Sequence, residues 1–238
     1  CFFSLRRTPL LAALLALALL ASGCDWTVEP PDPPDVQRVD RFPAWSPDGR
    51  FIAYIHDSGP TADPTDVTGL YVLDLETDST WLVTEGLVTG PDWRPDGERI
   101  AFAAGDIFTI RPDGSDLQQV TMFRSSFDPR WSPDGRTITF GRSGTQEEVG
   151  IWFGHLADST FTKFGFGATP ADWSLGGNRV VYDKTQIVVA DTSRVDSTQL
   201  TSNAAVDNRY PAWSPNGDWI TWAPLPEGQP FFELWVMR

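Results

Sequence analysis

The side chains best suited to chemistry are few, and their spacing argues against an active centre. The chain has two histidines, His56 and His155, which lie 99 residues apart. Both cysteines, Cys1 and Cys24, stand in the first 24 residues, so no Cys/His set has zinc-ligand spacing. A serine nucleophile on a strained turn would show as Gly-x-Ser-x-Gly, and a phosphate cradle as a glycine-rich loop. The chain contains neither. Asp48, Asp96 and Asp134 look tempting, but each sits in a Pro-Asp-Gly triplet that recurs along the chain. An Asp at that place bonds the turn's own backbone, so these carboxylates read as structural. The stretch from His56 to Thr68 holds Asp57, Asp63 and Asp66 without EF-hand spacing, and reads as a solvated connection rather than a calcium loop. No catalytic residue, metal or cofactor is expected.

The elements that position any site must then be short strands. Among 238 residues there are 11 Trp, 15 Phe, 20 Gly and 20 Pro, a mixture that suits many strands joined by tight turns and disfavours a helical bundle. The net charge is −14, with Lys163 and Lys184 the only lysines. Phosphate contacts need clustered Lys and Arg, so a nucleic-acid partner is excluded.

The N-terminal segment reads as an address. Arg6 and Arg7 precede an unbroken Leu/Ala run, Leu10 to Leu20, that ends in Ala21-Ser22-Gly23-Cys24. Crossing a bilayer takes about 20 apolar residues, so this shorter run fits a signal peptide. Its removal would leave Cys24 as a lone thiol, which cannot form an internal disulfide. Small residues before a cysteine at the end of the apolar run resemble the lipobox of bacterial lipoproteins, with Ala21 in place of the usual Leu. That resemblance implies acylation of Cys24. Beyond it, Glu29-Pro30-Pro31-Asp32-Pro33-Pro34-Asp35 makes a stiff polar tether of about 3.1 Å per residue. The expected organisation is a lipoprotein signal peptide over 1–23, a Pro/Asp-rich tether over 24–35 and a folded domain over 36–238.

Self-similarity fixes the architecture of that domain. FPAWSPDGRFIAYI from Phe42 recurs as GPDWRPDGERIAFA from Gly90, DPRWSPDGRTITFG from Asp128, PADWSLGGNRVVYD from Pro170 and YPAWSPNGDWITWA from Tyr210. The anchor tryptophans are Trp45, Trp93, Trp131, Trp173 and Trp213, at intervals of 48, 38, 42 and 40 residues. In each unit a short strand ends at Trp, a Pro-Asp-Gly-type turn reverses the chain, and three further strands follow, as at Leu70 to Leu73 and Trp81 to Val83 in the first. Four strands per unit, five times over, predict an all-β propeller with each Trp packed between adjacent blades. Two units depart at the turn, with Leu175-Gly176-Gly177 and Asn216, and both substitutes still suit a turn.

These residues closely resemble the TolB-like propeller repeat, over nearly everything from Val36 to Arg238. Such propellers typically have six blades, which favours a six-bladed ring truncated here. Val36 to Arg41 offers the alternative: as a spare fourth strand paired with the terminal one, it would close a five-bladed ring. The resemblance implies a protein-binding platform in the cell envelope, exported and held to the membrane by the lipid on Cys24. Two rivals stand beside it. Similar repeats form the propeller of prolyl-oligopeptidase-like peptidases, whose catalytic domain would then lie outside this sequence, and aromatic-lined propeller faces can stack carbohydrate.

In a propeller, loops between second and third strands and connections to the next blade share one face. Here that face is expected to carry Arg124, Phe127, Arg142, Arg209 and Tyr210, a mixture of aromatics and Arg suited to protein binding. The residue before each anchor Trp faces the axis, and three successive blades supply Asp92, Arg130 and Asp172. This alternation predicts either a structural ion pair or a polar docking point at the channel mouth. For the anchor, Cys24→Ala is expected to move the full chain from the membrane to the soluble fraction. Membrane fractionation with intact-mass measurement of the acyl group checks it.

Overall fold

The computed structural model describes residues 39–59, 65–167, 171–203, 206–226 and 233–238. Cys24, the signal peptide and the tether lie outside these residues, as does Asp63. Strands account for all the regular structure described, in five antiparallel sheets taken in chain order. Blade 1 is β1 (Val39–Trp45), β2 (Phe51–Asp57), β3 (Gly69–Asp74) and β4 (Ser79–Glu85). Blade 2 is β5 (Thr89–Trp93), β6 (Ile100–Ala103), β7 (Ile107–Ile110) and β8 (Gln118–Gln119). Blade 3 is β9 (Ser126–Trp131), β10 (Thr137–Arg142), β11 (Gly150–His155) and β12 (Thr160–Gly165). Blade 4 is β13 (Asp172–Trp173), β14 (Arg179–Asp183), β15 (Ile187–Asp191) and β16 (Ser197–Gln199). Blade 5 is β17 (Val206–Trp213), β18 (Ile220–Pro226) and β19 (Trp235–Met237). Strands pair only with sequence neighbours, the up-and-down order of propeller blades, and the fold class is that of a five-bladed β-propeller.

Local chemistry explains the repeated turn. In blade 1 the Ser46 hydroxyl donates to Asp48 at 2.6 Å, Asp48 accepts the Arg50 amide at 3.0 Å, and the Phe51 amide donates back to Ser46 Oγ at 2.8 Å. Gly49 supplies the positive φ of 73° that completes the reversal. Ser132, Asp134 and Thr137 repeat the pattern in blade 3. The Ser hydroxyls hold Asp48 and Asp134 below the usual carboxylate range. In blade 4, which has no Asp at the turn, Ser174 still receives the Arg179 amide at 3.1 Å.

The innermost strands carry a feature that the repeat does not announce. Three residues before the anchor Trp the chain turns left-handed, at Phe42 (φ 54°), Gly90 (59°), Asp128 (47°) and Tyr210 (53°). The register slips at this place in β1, β5 and β17, as a β-bulge requires. Gly90 suits such a conformation and Asp128 tolerates it, whereas Phe42 and Tyr210 do not favour it. A Cβ there would meet Asp128 Oδ1 at 2.8 Å, so neighbouring inner strands come close at this point. The same strand corrects one expectation. Val39 to Arg41 are not a spare fourth strand: they open β1 and pair with Asp57, His56 and Ile55.

Four hydrophobic cores fill the spaces between consecutive blades. Trp93 packs with Ala53, Ile55, Leu70 and Val72 of blade 1, and Trp131 with Ala101 and Ala103 of blade 2. Trp173 reaches Phe153 and Phe164 of blade 3, and Trp213 reaches Val181 and Val189 of blade 4. Small or β-branched residues on the receiving sheets of blades 1, 2 and 4 leave room for the indole, while Trp173 packs on the stacked rings of Phe153 and Phe164. Trp45 departs from the expectation. It is 61% exposed, against 6% for Trp93 and Trp131, because it faces away from blade 2 and no described residue lies before blade 1 to cover it. On blade 5, Trp235 and Val236 are likewise exposed. Trp93→Ala and Trp131→Ala are each expected to destabilise by about 3–5 kcal/mol, as for large core aromatics. Trp45→Ala in this chain should cost less than about 1 kcal/mol. Denaturant unfolding of the three variants measures the contrast.

Candidate functional site

At the axis each pair of neighbouring blades is joined by a bond that crosses between sheets. Trp93 Nε1 donates to the Ala44 carbonyl at 3.0 Å, and Thr139 Oγ1 donates to the Ala171 carbonyl at 3.0 Å. Asp92 accepts the Trp131 amide at 2.7 Å, and Asp172 accepts the Trp213 amide at 2.7 Å. The two carboxylates singled out before anchor tryptophans therefore tie blade 2 to blade 3 and blade 4 to blade 5. Arg130 stands between them on β9, but the expected direct pairing is not made. Among the described residues it has no carboxylate within 4.0 Å, and its Nη1 donates to the Pro129 carbonyl at 3.0 Å.

The three groups still act on one another through space. Burial pushes the Asp92 carboxyl up to about 6, while the Arg130 charge and the Trp131 amide pull it down. Burial also raises Asp172, against the Trp213 amide and Arg130, and raises Asp128, again against Arg130. Three raised carboxyls thus share one guanidinium, and the axis is electronegative whenever they are ionised.

The remaining candidate residues sort by environment. Arg124 is exposed, at φ 57°, on the connection from blade 2 to blade 3. That connection is pinned by Asp106, which is buried and accepts Thr121 Oγ1 and the Phe123 and Arg124 amides at 2.7–2.9 Å. Phe127 lies over the bare backbone of Gly141, its cross-strand partner, where a Cβ would meet the ring at 2.3 Å. Arg142 is not on the surface. It is 7% exposed and sandwiched between Phe123 (3.9 Å) and Trp152 (4.7 Å), with Glu148 at 3.2 Å. Its stem and planar head fill the blade rather than face a partner. Arg209 is held by Asp207 at 2.8–2.9 Å, beside Tyr210, which is 62% exposed. No local pattern marks the Asp106 anchor, whose donors lie up to 18 residues away. Nor does one reveal the aromatic Phe42, 47% exposed at the left-handed position that Tyr210 occupies in blade 5.

A cleft of about 690 Å³ opens at the opposite, turn-bearing end between blades 3 and 4, beside Phe153, Trp173 and Arg194. Arg194 is already committed to the Lys163 carbonyl at 2.6 Å. Among the described residues no group of three His, Cys, Asp or Glu side chains is placed to hold a metal ion.

The raised carboxyl at Asp92 makes a signed prediction. Its folded value, about 6, lies above that of a free Asp, about 3.9, so the folded state binds the extra proton in this window and gains stability as pH falls through it. Asp92→Asn keeps an acceptor for the Trp131 amide and removes the charge. It should match or exceed wild type in stability at pH 7, and the difference should close as pH falls through about 6. Urea unfolding against pH measures this. A variant less stable than wild type at pH 7, with the deficit closing as pH falls through about 6, would show that the ionised carboxylate holds the axis.

Comparison with known proteins agrees with this architecture. The chain is 26% identical over 191 residues to the uncharacterized peptidase YuxL of Bacillus subtilis, covering 76% of this chain and 29% of that protein. TolB from Acinetobacter baumannii superposes with a TM-score of 0.63 at 19% identity, over 83% of this chain and 56% of that one. An acylaminoacyl peptidase from Pyrococcus horikoshii superposes with a TM-score of 0.56 at 16% identity, over 83% of this chain and 37% of that one. The chain therefore spans less than a third of the curated relative and little more than half of the TolB structure. Residues 38–236 match the PD40 family, the TolB beta propeller domain, and the chain belongs to that family.

Proposed function

We propose that this propeller is a non-catalytic docking platform of the cell envelope, lipid-anchored through Cys24, whose partner protein meets the face bearing Arg124 and Tyr210. One observation carries the reading. Phe42 and Tyr210 are large aromatics left exposed in a left-handed backbone, at the same structural position of blades 1 and 5. The inner-strand bulge imposes this conformation, at a cost of about 1–3 kcal/mol for a bulky residue, and blades 2 and 3 meet it with Gly90 and Asp128 rather than an exposed aromatic. Exposed rings rimmed by Arg supply the rigid apolar area and charged edge on which protein interfaces depend. The electronegative axis behind them suits a partner that presents a basic group.

Similarity to YuxL and to the acylaminoacyl peptidase favours one alternative, in which the propeller belongs to a longer peptidase. The product of the complete reading frame would then hydrolyse an acyl-peptide anilide, and a Gly-x-Ser-x-Gly serine would be essential for it. For the docking reading, a photo-crosslinking residue at Tyr210 should give a discrete adduct in envelope preparations, and one at Asp96 on the opposite end should give none. Adding Arg124→Glu should weaken the Tyr210 adduct about tenfold or more, as for a contact near the centre of an interface. Equal labelling from both ends would overturn the assignment.

A further inference from the structure

His56 stands opposite Asp40 in the ladder between β1 and β2, and both of its ring nitrogens are engaged. Nδ1 lies 2.7 Å from an Asp40 oxygen, and Nε2 lies 2.7 Å from an Asp66 oxygen. The ring meets Tyr71 of β3 edge-on, with centroids 5.5 Å apart, and the Tyr71 hydroxyl donates to the Val67 carbonyl at 2.8 Å. Asp66 was expected in a solvated connection, yet its side chain is only 8% exposed. Among the described residues around it, Asp57 and Arg41 of the same ladder pair with each other, and the charge of Glu85 at the end of β4 reaches Tyr71.

A carboxylate can only accept, so two carboxylates facing the two ring nitrogens require both nitrogens to donate. The geometry is that of an imidazolium. A neutral ring has one N–H and would turn a lone pair toward the other carboxylate. We propose that His56 is a pH-operated clamp, which when protonated ties the outer end of β1 to the Thr65–Thr68 segment, and when neutral releases that end from the segment and leaves it to its ladder with β2.

The asymmetry between the carboxylates decides which bond survives. Asp40 is 63% exposed and is readily hydrated when its bond is lost, whereas the Asp66 side chain is 8% exposed and out of reach of most water. The single proton of a neutral ring therefore stays with Asp66. Burial alone would lower the affinity of His56 for its proton, but the bonds to Asp40 and Asp66 outweigh it, and the net shift is upward from 6.5. A group raised in this way contributes stability that is complete below its unfolded value and lost as pH rises through its folded value. The released end of β1 leads directly into Phe42, so the clamp acts on the aromatic rim whatever partner meets it.

With two histidines in the chain, the imidazole NMR spectrum holds two ring signals, and His155→Gln assigns them. In the wild-type chain the His56 midpoint should lie above 6.5, with both nitrogens protonated below it. Hydrogen-exchange protection factors over Val39 to Arg41, corrected for intrinsic rates, should fall about tenfold as pH rises through that midpoint, the loss of one charge-assisted bond. Asp40→Asn should lower the midpoint and abolish the pH dependence of protection. A wild-type midpoint at or below 6.5, or β1 protection that stays flat through the midpoint, would overturn the clamp. Both readouts come from the wild-type chain, so they survive a variant that fails to fold.

Discussion

No blade of this protein can bury its own two faces; each depends on the sheet beside it. A four-stranded sheet of this size has apolar residues on both sides, as Ile100 and Ala101 show on adjacent positions of β6. Ile100 turns toward blade 1 and Ala101 toward blade 3. The anchor Trp crosses each gap, and the receiving face meets it with small or β-branched residues in blades 1, 2 and 4 and with stacked Phe rings in blade 3. This mutual dependence explains why Ala53, Ala101 and Val181 recur at one place in the repeat while Trp recurs at another. It also explains why Trp45, with the same local sequence as its counterparts, is exposed: burial here belongs to the pair of blades, not to the residue.

The axis shows the polar side of that dependence. Inner strands pack closely enough for a Cβ on Gly90 to clash with Asp128, so backbone donors and acceptors there have little access to water. Each gap has at least one crossing bond next to an anchor Trp or its neighbour, drawn from whatever the local sequence supplies. Where the residue before Trp is Asp, its carboxylate takes the next blade's amide. At Ala44 the carbonyl takes an indole N–H instead. Asp92 and Asp172 thus serve the architecture and at the same time make the axis electronegative. The cost appears in their raised proton affinity, and Arg130 relieves it only at a distance. Charge and left-handed aromatics are concentrated on the same inner strands, which is why the proposed docking face and the His56 clamp both converge on them.

Much of this was legible from the repeat alone. Five copies of a Trp followed by a tight turn specify four-stranded blades, and the Pro-Asp-Gly acids are structural as their position implies. Periodicity also placed Trp93 and Trp131 in inter-blade cores. What escaped were features set by contacts between residues far apart in sequence. Arg142 reads as a surface cation, but Phe123 from the connection between blades 2 and 3 and Trp152 from β11 enclose it. Asp66 reads as a loop carboxylate, yet β2 and β3 bring His56 and Tyr71 over it.

The amino-acid sequence by itself determined the number of repeats, the strands within each, the turn chemistry and the acidic charge, because all of these follow from local residue types and their period. Only the tertiary structure decided which tryptophans are buried, which carboxylates lose their usual acidity and which histidine nitrogen meets which acid. Those properties depend on what the neighbouring blade or strand places within a few ångströms, and no local period encodes that distance.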